Sequence, residues 1–260
     1  MKCPVLSAKD SAPLANQSEF DCFADDYERV HDRTLPPGAK SRDFLLQKAG
    51  MVKRWAKERF KGRGPLSVLD FGCSTGRLLA AIADEEWCQS LTGVDPSAVS
   101  LQTARQALSG KSKPVALARK LADLGGERRY DLLLMFNVMH HIPSKNRLNL
   151  VRQMGGVLKQ DGVLAVWEHN PFNPMTRLLV ALSPMDEHAQ LISRRRVVEL
   201  MQECGFSCVD SRFVNCFPPQ MSSIAVVAWL EDALSGAPVG TQYWSLFCAS
   251  TGREEDHVAQ

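Results

Sequence analysis

The feature that most constrains this chain is a strand, a glycine turn and a second strand that ends in a carboxylate. Residues 68–76 read VLDFGCSTG, and residues 91–95 read LTGVD. An apolar strand that enters a tight glycine turn and then a helix presents backbone N–H groups and the positive helix end at one edge of a sheet. Asp95, at the end of the second strand, can accept hydrogen bonds from ribose hydroxyls. The pattern predicts a nucleoside site.

The spacing of the glycines favours a mononucleoside over a dinucleotide. The dinucleotide fingerprint has glycines at its first, third and sixth positions, so that the backbone can approach a pyrophosphate. Counted from Gly72, the third position is Ser74 and the sixth is Arg77, while Gly76 comes one residue early. This favours S-adenosylmethionine over NAD. The alternative, a strand-to-helix turn that binds nothing, is disfavoured by the carboxylate at Asp95.

Strands and helices alternate along the rest of the chain. Apolar runs bounded by turn residues predict strands at 66–71, 90–94, 114–118, 130–136, 162–168, 206–214 and 243–248. Helical periodicity predicts helices at 42–60, 76–85, 98–108, 145–158 and 175–182, and a further helix that Ser193 caps and Gly205 ends. The alternation predicts an α/β doubly wound fold, with helices on both faces of a mostly parallel sheet.

Several motifs taken together resemble one family. Residues 68–76 and 91–95 resemble motif I and the following acidic motif of class I S-adenosylmethionine-dependent methyltransferases. The likeness continues through YDLLL at 130–134, NVMHHI at 137–142 and VLKQDGVL at 157–164, and so covers roughly residues 65 to 170. The resemblance implies a Rossmann-like, seven-stranded sheet with an antiparallel final strand, and S-adenosyl-L-methionine as the cofactor.

The resemblance also implies a set of cofactor-binding residues. They lie in the glycine loop, after the next strands and in the N-terminal arm: Asp70, Gly72, Cys73, Ser74, Gly76, Asp95, Pro96, Asp123, Leu124, Asn137 and Tyr27. In the family, an acid at the position of Asp123 lies near the adenine amino group, and an N-terminal tyrosine covers the methionine end of the cofactor. For Tyr27 the alternative is a helical turn, shared with Phe20 and Phe23, that packs on the core.

Candidate catalytic residues follow the fourth and fifth predicted strands. Methyl transfer from a sulfonium is an in-line displacement, which needs a base when the nucleophile is a protonated hydroxyl. His141 is the first candidate for that base and His169 the second, while Glu168 can orient an imidazole. Each candidate also has a structural alternative. His141 can instead stabilise the start of a helix, and Glu168 and His169 can form a polar pair that anchors a loop.

The domain organisation follows from local composition. Residues 1–40 are rich in Ser, Asp and Pro and are expected to form a partly ordered N-terminal arm. Residues 41–260 are expected to form a single methyltransferase domain. An insertion near 171–193, together with residues 217–219, is expected to form a lid over the methyl acceptor.

Composition limits the partners. The 31 Lys and Arg residues nearly balance 29 Asp and Glu residues, so the net charge of +2 gives no sign of a nucleic-acid partner. The eight cysteines form no C-x-x-C pair, so neither a metal nor a disulfide framework is expected. The apolar runs are too short for a transmembrane segment and the start of the chain lacks the apolar region of a signal peptide, so a cytoplasmic protein is expected.

These observations predict the methylation of a small molecule or of a glycosyl- or lipid-linked intermediate, on oxygen. The basic run at 194–196 is either a solvated face or a site for an anionic group on the acceptor. A DNA methylase is disfavoured, because the segment after the fourth strand lacks the Asn/Asp-Pro-Pro-aromatic motif. The alternatives are an NAD(P)-dependent oxidoreductase and a catalytically silent, methyltransferase-like partner protein. The sequence leaves the oligomeric state open.

Overall fold

The computed structural model describes residues 21, 27–35, 38–125 and 129–249. The strands are β1 (Leu66–Phe71), β2 (Cys88–Val94), β3 (Val115–Ala118), β4 (Tyr130–Phe136), β5 (Leu158–His169), β6 (Phe206–Val214) and β7 (Gln242–Ala249). The helices are α1 (Tyr27–Thr34), α2 (Ser41–Arg59), α3 (Arg77–Ile82), α4 (Ala98–Ala107), α5 (Ser144–Val157), α6 (Pro174–Leu182), α7 (Arg194–Glu203) and α8 (Ala225–Leu234). All seven predicted strands are present.

The strands form one seven-stranded sheet in the order β3-β2-β1-β4-β5-β7-β6. Strands β1 to β5 pair in parallel, while β7 runs antiparallel to both β5 and β6. This confirms the predicted doubly wound sheet and its antiparallel final strand. The strand order reverses between β1 and β4, and open α/β sheets bind ligands at that point, outside the carboxyl ends of the strands.

The sheet is buried on both faces, which explains its continuous apolar strands. Along β4, Leu132 and Leu134 pack with α2, α3 and α4, while Leu133 and Met135 pack with α5 and α7. Successive side chains of a strand point to opposite faces, so each strand contributes to both layers of the core. Full burial of these leucines contributes on the order of 2 kcal/mol for each side chain.

The elements that differ from the prediction include β5, α8, α1, which was not predicted as a helix, and α3, which ends at Ile82 and not at 85. Strand β5 begins at Leu158, four residues before the predicted start at 162, because Leu158 pairs with Tyr130 ahead of an irregularity in the β4–β5 register. Helix α8 was not predicted, and within this helix only Val227 is buried while Val226 and Trp229 are exposed. Residues 224–230 read IAVVAWL, and such an uninterrupted apolar run lacks the alternation of apolar and polar positions from which amphipathic helices are recognised.

The N-terminal arm is described in part. Helix α1 precedes α2, and Asp32 accepts a hydrogen bond of 2.7 Å from the backbone N–H of Ser41. Phe20, Phe23 and the side chain of Tyr27 lie outside the described residues, so the predicted roles of these aromatics stay predictions. In the described part of the chain, no helix is both long and apolar enough to cross a membrane.

Candidate functional site

The glycine loop after β1 has the backbone conformation that its glycines allow. Gly72 has a φ of +80° and Gly76 a φ of +74°, both in the left-handed region. The backbone N–H groups of Gly72 and Cys73 donate to the carbonyl oxygen of Val94 at 2.7 and 3.1 Å. A Cβ on Gly72 would overlap the Cγ2 methyl of Val138, which follows β4. The loop therefore leaves no room for a side chain between β1 and the turn after β4.

Asp95 joins the glycine loop to the end of β2. Its two carboxylate oxygens accept hydrogen bonds of 2.9 Å from the backbone N–H groups of Ser74 and Ser97. Burial raises the pKa of Asp95, and these two N–H donors oppose that rise. A carboxylate has about four acceptor positions, so two remain for the hydroxyls of a ribose.

Asp70, in β1, lies within electrostatic range of this carboxylate and is 3% exposed. Burial, reinforced by the charge of Asp95 and opposed by that of Lys48, raises the pKa of Asp70 to about 7. The two acids are therefore not equivalent, because Asp95 has backbone donors to stabilise its charge and Asp70 is strongly desolvated.

Other predicted cofactor residues follow the neighbouring strands. The carbonyl oxygen of Pro96 accepts from the guanidinium of Arg119 at 3.1 and 3.2 Å. Asp123 and Leu124 lie in a short 3-10 turn after β3, where the exposed carboxylate of Asp123 accepts from the backbone N–H of Lys120 at 3.0 Å. Asn137 follows β4 with a φ of +57°. The structure thus places these residues after β2, β3 and β4, on the same edge of the sheet as the glycine loop.

Lys48, on α2, is a site residue that the sequence analysis missed. Its Nζ atom lies 5.5 Å from the centre of the Trp167 ring and 3.3 Å from the amide oxygen of Asn137, in the amide orientation that satisfies both groups. Burial lowers the pKa of Lys48 to about 8 against the opposing charges of Glu168 and Asp70. The sequence did carry a sign of this residue, because Lys48 is a charged side chain on the apolar face of α2 that Leu45, Ala49 and Val52 form.

Glu168 is fully buried at the end of β5 and holds the turn that follows β4. One carboxylate oxygen accepts from the backbone N–H groups of Val138 and Met139 at 2.8 and 2.5 Å. The other lies 2.6 Å from Nδ1 of His140. Glu168 therefore orients the imidazole of His140, across the strand ends, and has no free oxygen turned to a substrate.

Asp186 brings a second carboxylate to the same histidines, and the sequence analysis did not predict it. It lies in a 3-10 turn after α6, within the segment predicted as a lid. Its Oδ1 atom lies 3.3 Å from Nε2 of His140 and 3.5 Å from Nε2 of His141. Burial alone would lower the pKa of His140, but the charges of Glu168 and Asp186 outweigh burial and raise the pKa to about 9.

His141 and His169, the two predicted bases, have weakly basic imidazoles. Burial, followed by the charge of His140, lowers the pKa of His141 to about 4 and that of His169 to about 3. The ring of His169 lies 5.0 Å from that of His140. Its Nδ1 atom faces the amide nitrogen of Gln242 at 3.5 Å, because the Gln242 oxygen accepts from the Trp167 indole at 2.8 Å. Nδ1 of His169 is thus an acceptor, and its Nε2 atom carries the proton.

Helix α1 and Asp21 contact residues at the starts of α3 and α4. Glu28 pairs with Arg77, the first residue of α3, at 2.5 Å, and Asp21 accepts a hydrogen bond from the Ser97 hydroxyl. Burial and the charge of Lys48 lower the pKa of His31, which also feels the charge of Asp186. The described part of the arm therefore contacts the helices that follow the glycine loop and β2, and His31 lies within electrostatic range of Asp186.

Two further predicted segments lie elsewhere. Arg195 and Arg196 pair with glutamates of their own helix, α7, and Arg194 stacks on the ring of Phe213 at 4.3 Å, as expected of a solvated basic face. Residues 217–219 line a cavity of about 640 Å³ between α2 and α8. None of the histidines at the ends of β4 and β5 lines this cavity, and the part that residues 217–219 have in a lid stays a prediction.

The fold and site define a class of protein, and comparisons agree with it. A family model described as a methyltransferase domain matches residues 38–211 of the 260. The chain belongs to this family and is a class I S-adenosylmethionine-dependent methyltransferase, which sets aside the oxidoreductase alternative. No curated protein sequence matches the chain.

Solved structures resemble the chain at low sequence identity. The methyltransferase from Thermotoga maritima has 17% identity and a TM-score of 0.61, with 89% of this chain and 98% of that chain covered. Magnesium protoporphyrin IX methyltransferase from Synechocystis, with bound S-adenosylmethionine, has 17% identity and a TM-score of 0.57, covering 93% and 100%. A methyltransferase from Archaeoglobus fulgidus has 16% identity and a TM-score of 0.57, covering 78% and 93%. At these identities the likeness shows the fold.

The residues present fit the family's cofactor. The free acceptor positions of Asp95 and the absence of a third dinucleotide glycine both suit a nucleoside without a pyrophosphate. S-adenosylmethionine is the cofactor. The assignment of individual side chains to it remains a proposal.

Proposed function

We propose that this chain transfers a methyl group from S-adenosylmethionine to a hydroxyl oxygen of a small molecule or of a glycosyl- or lipid-linked intermediate. The observation that carries the proposal is the group of imidazoles at the ends of β4 and β5, beside the glycine loop. Hydroxyl acceptors must lose a proton during methyl transfer, and a positioned group that assists this loss contributes typically 10² to 10⁴-fold in rate.

The cofactor half of the site consists of the glycine loop and the strand ends beside it. We propose that Asp95 binds the ribose hydroxyls, that Asp123 and Leu124 lie at the adenine, and that Pro96 and the 72–76 loop complete the binding surface. Asp70 and Asn137 then lie toward the methionine end, with Tyr27. When bound, S-adenosylmethionine supplies an electrophilic methyl group on a sulfonium.

His141 is the residue we propose for activation of the acceptor hydroxyl. Its side chain is 17% exposed, whereas His140 is 1% exposed and engaged at both ring nitrogens. His169 is the second candidate, but its Nε2 atom carries a proton when Nδ1 accepts from Gln242. Glu168 acts as a positioning residue through His140.

The acceptor is proposed to have an apolar part. The segment that leads to Asp186 exposes four large apolar side chains, Phe172, Met175, Leu178 and Leu182. Exposed apolar groups at this density commonly mark a binding surface. Their position on the lid segment favours a lipid-linked or otherwise apolar acceptor over a fully polar one.

The experiment compares acceptors that share one skeleton and differ in the nucleophile, namely a hydroxyl, an amine or a carboxylate. Purified chain is incubated with S-adenosylmethionine carrying a labelled methyl group, and products are located by mass spectrometry. The proposal expects a methyl ether, with a higher rate when the acceptor carries an alkyl chain. Methylation of the amine alone would contradict O-methylation, and cofactor binding without any turnover would favour the silent partner protein.

A matched pair of variants tests the residue assignment. His141→Ala is expected to lower kcat by about 10² to 10⁴-fold with little change in cofactor affinity. Lys57→Ala removes an exposed side chain from the last turn of α2, outside the proposed site, and is expected to leave kcat unchanged. Equal rates for the two variants would remove His141 from the mechanism.

A further inference from the structure

His140, His141 and Asp186 bring three potential metal ligands together at the carboxyl edge of the sheet. The donor atoms of the three side chains all lie within 4.8 Å of one another. Asp186 and His140 are 46 positions apart in the sequence, so the cluster exists only in the folded chain. The sequence, which lacks C-x-x-C pairs, predicts no metal.

Two of the three donor separations match those of a metal site, and the third, between the two imidazoles, is within 4.8 Å. Oδ1 of Asp186 lies 3.3 Å from Nε2 of His140 and 3.5 Å from Nε2 of His141. Two ligands bonded to a tetrahedral zinc ion at about 2.0 to 2.2 Å are themselves about 3.4 Å apart. Little movement is needed for Asp186 and either imidazole to bind one ion.

The surroundings of His140 match those of a metal-bound histidine. Metal-binding histidines generally donate their second ring N–H to a carboxylate or carbonyl, which fixes the ring and the tautomer. Nδ1 of His140 has such a partner in Glu168, at 2.6 Å, and Glu168 is itself held by two backbone N–H groups. Nε2 of His140 faces Asp186 at 3.3 Å, and it becomes a ligand atom when a metal ion displaces the proton that it shares with this carboxylate.

Hydrogen bonds hold the two segments that carry the ligands against each other. The backbone N–H of Gln190 donates to the carbonyl oxygen of His140 at 2.7 Å. Arg147, which is 6% exposed, donates to the carbonyl oxygens of Ile142 and Gln190 at 2.9 and 2.5 Å. The lid segment is thereby fixed to the turn after β4, which preorganises the three side chains.

From this arrangement we infer that His140, His141 and Asp186 bind a divalent transition-metal ion of the zinc type. Two imidazoles and one carboxylate suit such an ion better than Mg²⁺ or Ca²⁺, which prefer oxygen ligands. Three protein ligands leave a coordination position open, as in catalytic rather than structural zinc sites. That position lies on the side of His141 and Asp186, which are 17% and 15% exposed.

The role of the ion rests on the proposed function. An ion at this position polarises an acceptor hydroxyl, so that the hydroxyl proton leaves to solvent, the O–CH₃ bond forms and the S–CH₃ bond breaks. His141 then activates the acceptor through the ion instead of taking the proton itself.

The experiment measures metal binding directly on the full chain without a polyhistidine tag. After treatment with a chelator and its removal, zinc is titrated calorimetrically, and Co²⁺ is titrated in parallel to record its visible absorption, which is intense for tetrahedral sites. We expect one ion per chain and a tetrahedral Co²⁺ spectrum. Absence of stoichiometric binding would overturn the inference.

Variants identify the ligands, and circular dichroism checks that each one folds. Asp186→Asn and His141→Gln are each expected to weaken zinc binding by at least about 10 to 100-fold. Removal of a residue that only hydrogen-bonds to a metal ligand already has an effect of this size. His188→Ala, which removes an exposed imidazole two residues from Asp186, is expected to bind as the parent does. Unchanged affinity in both ligand variants, or lost affinity in the control, would refute the assignment.

The same preparations separate this inference from the proposed function. A chain that methylates hydroxyl acceptors but binds no zinc overturns the metal site and leaves O-methylation standing. A chain that binds zinc through these residues but methylates no hydroxyl supports the metal site and overturns the proposed function.

Discussion

Replacing Asp70 with asparagine is expected to stabilise the cofactor-free chain, and to do so increasingly as the pH rises. Asp70 is 3% exposed, and its pKa is raised from 3.8 to about 7 by burial and by the charge of Asp95. An acid with a raised pKa in the folded state binds more protons there than in the unfolded state. Its ionisation therefore destabilises the fold, and the free energy of unfolding falls as the pH rises from about 4 to about 7.

The size of the effect follows from the shift in pKa. Each pKa unit corresponds to about 1.36 kcal/mol, so the shift from 3.8 to about 7 costs about 4 kcal/mol once Asp70 is fully ionised. At pH 5.5 about 2 kcal/mol of this cost is already present, because Asp70 is ionised in the unfolded chain but still protonated in the folded chain. The advantage of Asp70→Asn over the parent should thus grow by about 2 kcal/mol between pH 5.5 and pH 8.

The assay is urea denaturation of both proteins at several pH values, without S-adenosylmethionine. Asp84→Asn serves as the control, because Asp84 is an exposed aspartate that pairs with Lys111 at 2.6 Å. The control is expected to change the free energy of unfolding by less than about 0.5 kcal/mol. If the difference between Asp70→Asn and the parent were the same at every pH, the argument from burial would be refuted.

Three further predictions test packing, anchoring and binding. Gly72→Ala should destabilise the chain more than Gly110→Ala in thermal denaturation, since both glycines have positive φ but only Gly72 has a neighbour, Val138, in the way of a Cβ. Asn170→Ala should lower the free energy of unfolding by about 2 to 4 kcal/mol, because this fully buried amide makes three hydrogen bonds, two of them to carbonyls of the 238–240 loop. Asp95→Ala should weaken S-adenosylmethionine binding at least about tenfold by calorimetry, and unchanged affinity would remove Asp95 from the cofactor site.

The cofactor half of the site was predictable because its determinants are local. The glycine loop and Asp95 are about twenty residues apart, and each lies directly after an apolar strand. Parallel strands that pair in register bring their carboxyl ends together, as β1 and β2 do from Ser67 and Ser90 onward. Sequence order therefore translates into proximity with little further information.

The acceptor half was only partly predictable, because long-range packing assembles it. The sequence indicated His141, His169 and Glu168 as strand-end residues, but it paired Glu168 with its neighbour His169. In the structure Glu168 bonds instead to His140, on the adjacent strand end. Asp186 gave no signal, because it follows an irregular proline-rich segment whose return to the sheet depends on contacts made by Gln190 and Arg147.

Lys48 connects the two halves electrostatically. On the cofactor side, the charge of Lys48 lowers the pKa of Asp70 and so opposes the effect of burial. The charges of Glu168, on the acceptor side, and of Asp70 in turn raise the pKa of Lys48. The acceptor half, in contrast, is joined by hydrogen bonds that run from Glu168 through His140 to Asp186. A change in the charge of Asp70 is therefore expected to shift the pKa of Lys48, whereas His140 is held by hydrogen bonds that do not involve Lys48. The protonation of Asp70 and the orientation of His140 therefore depend on different contacts.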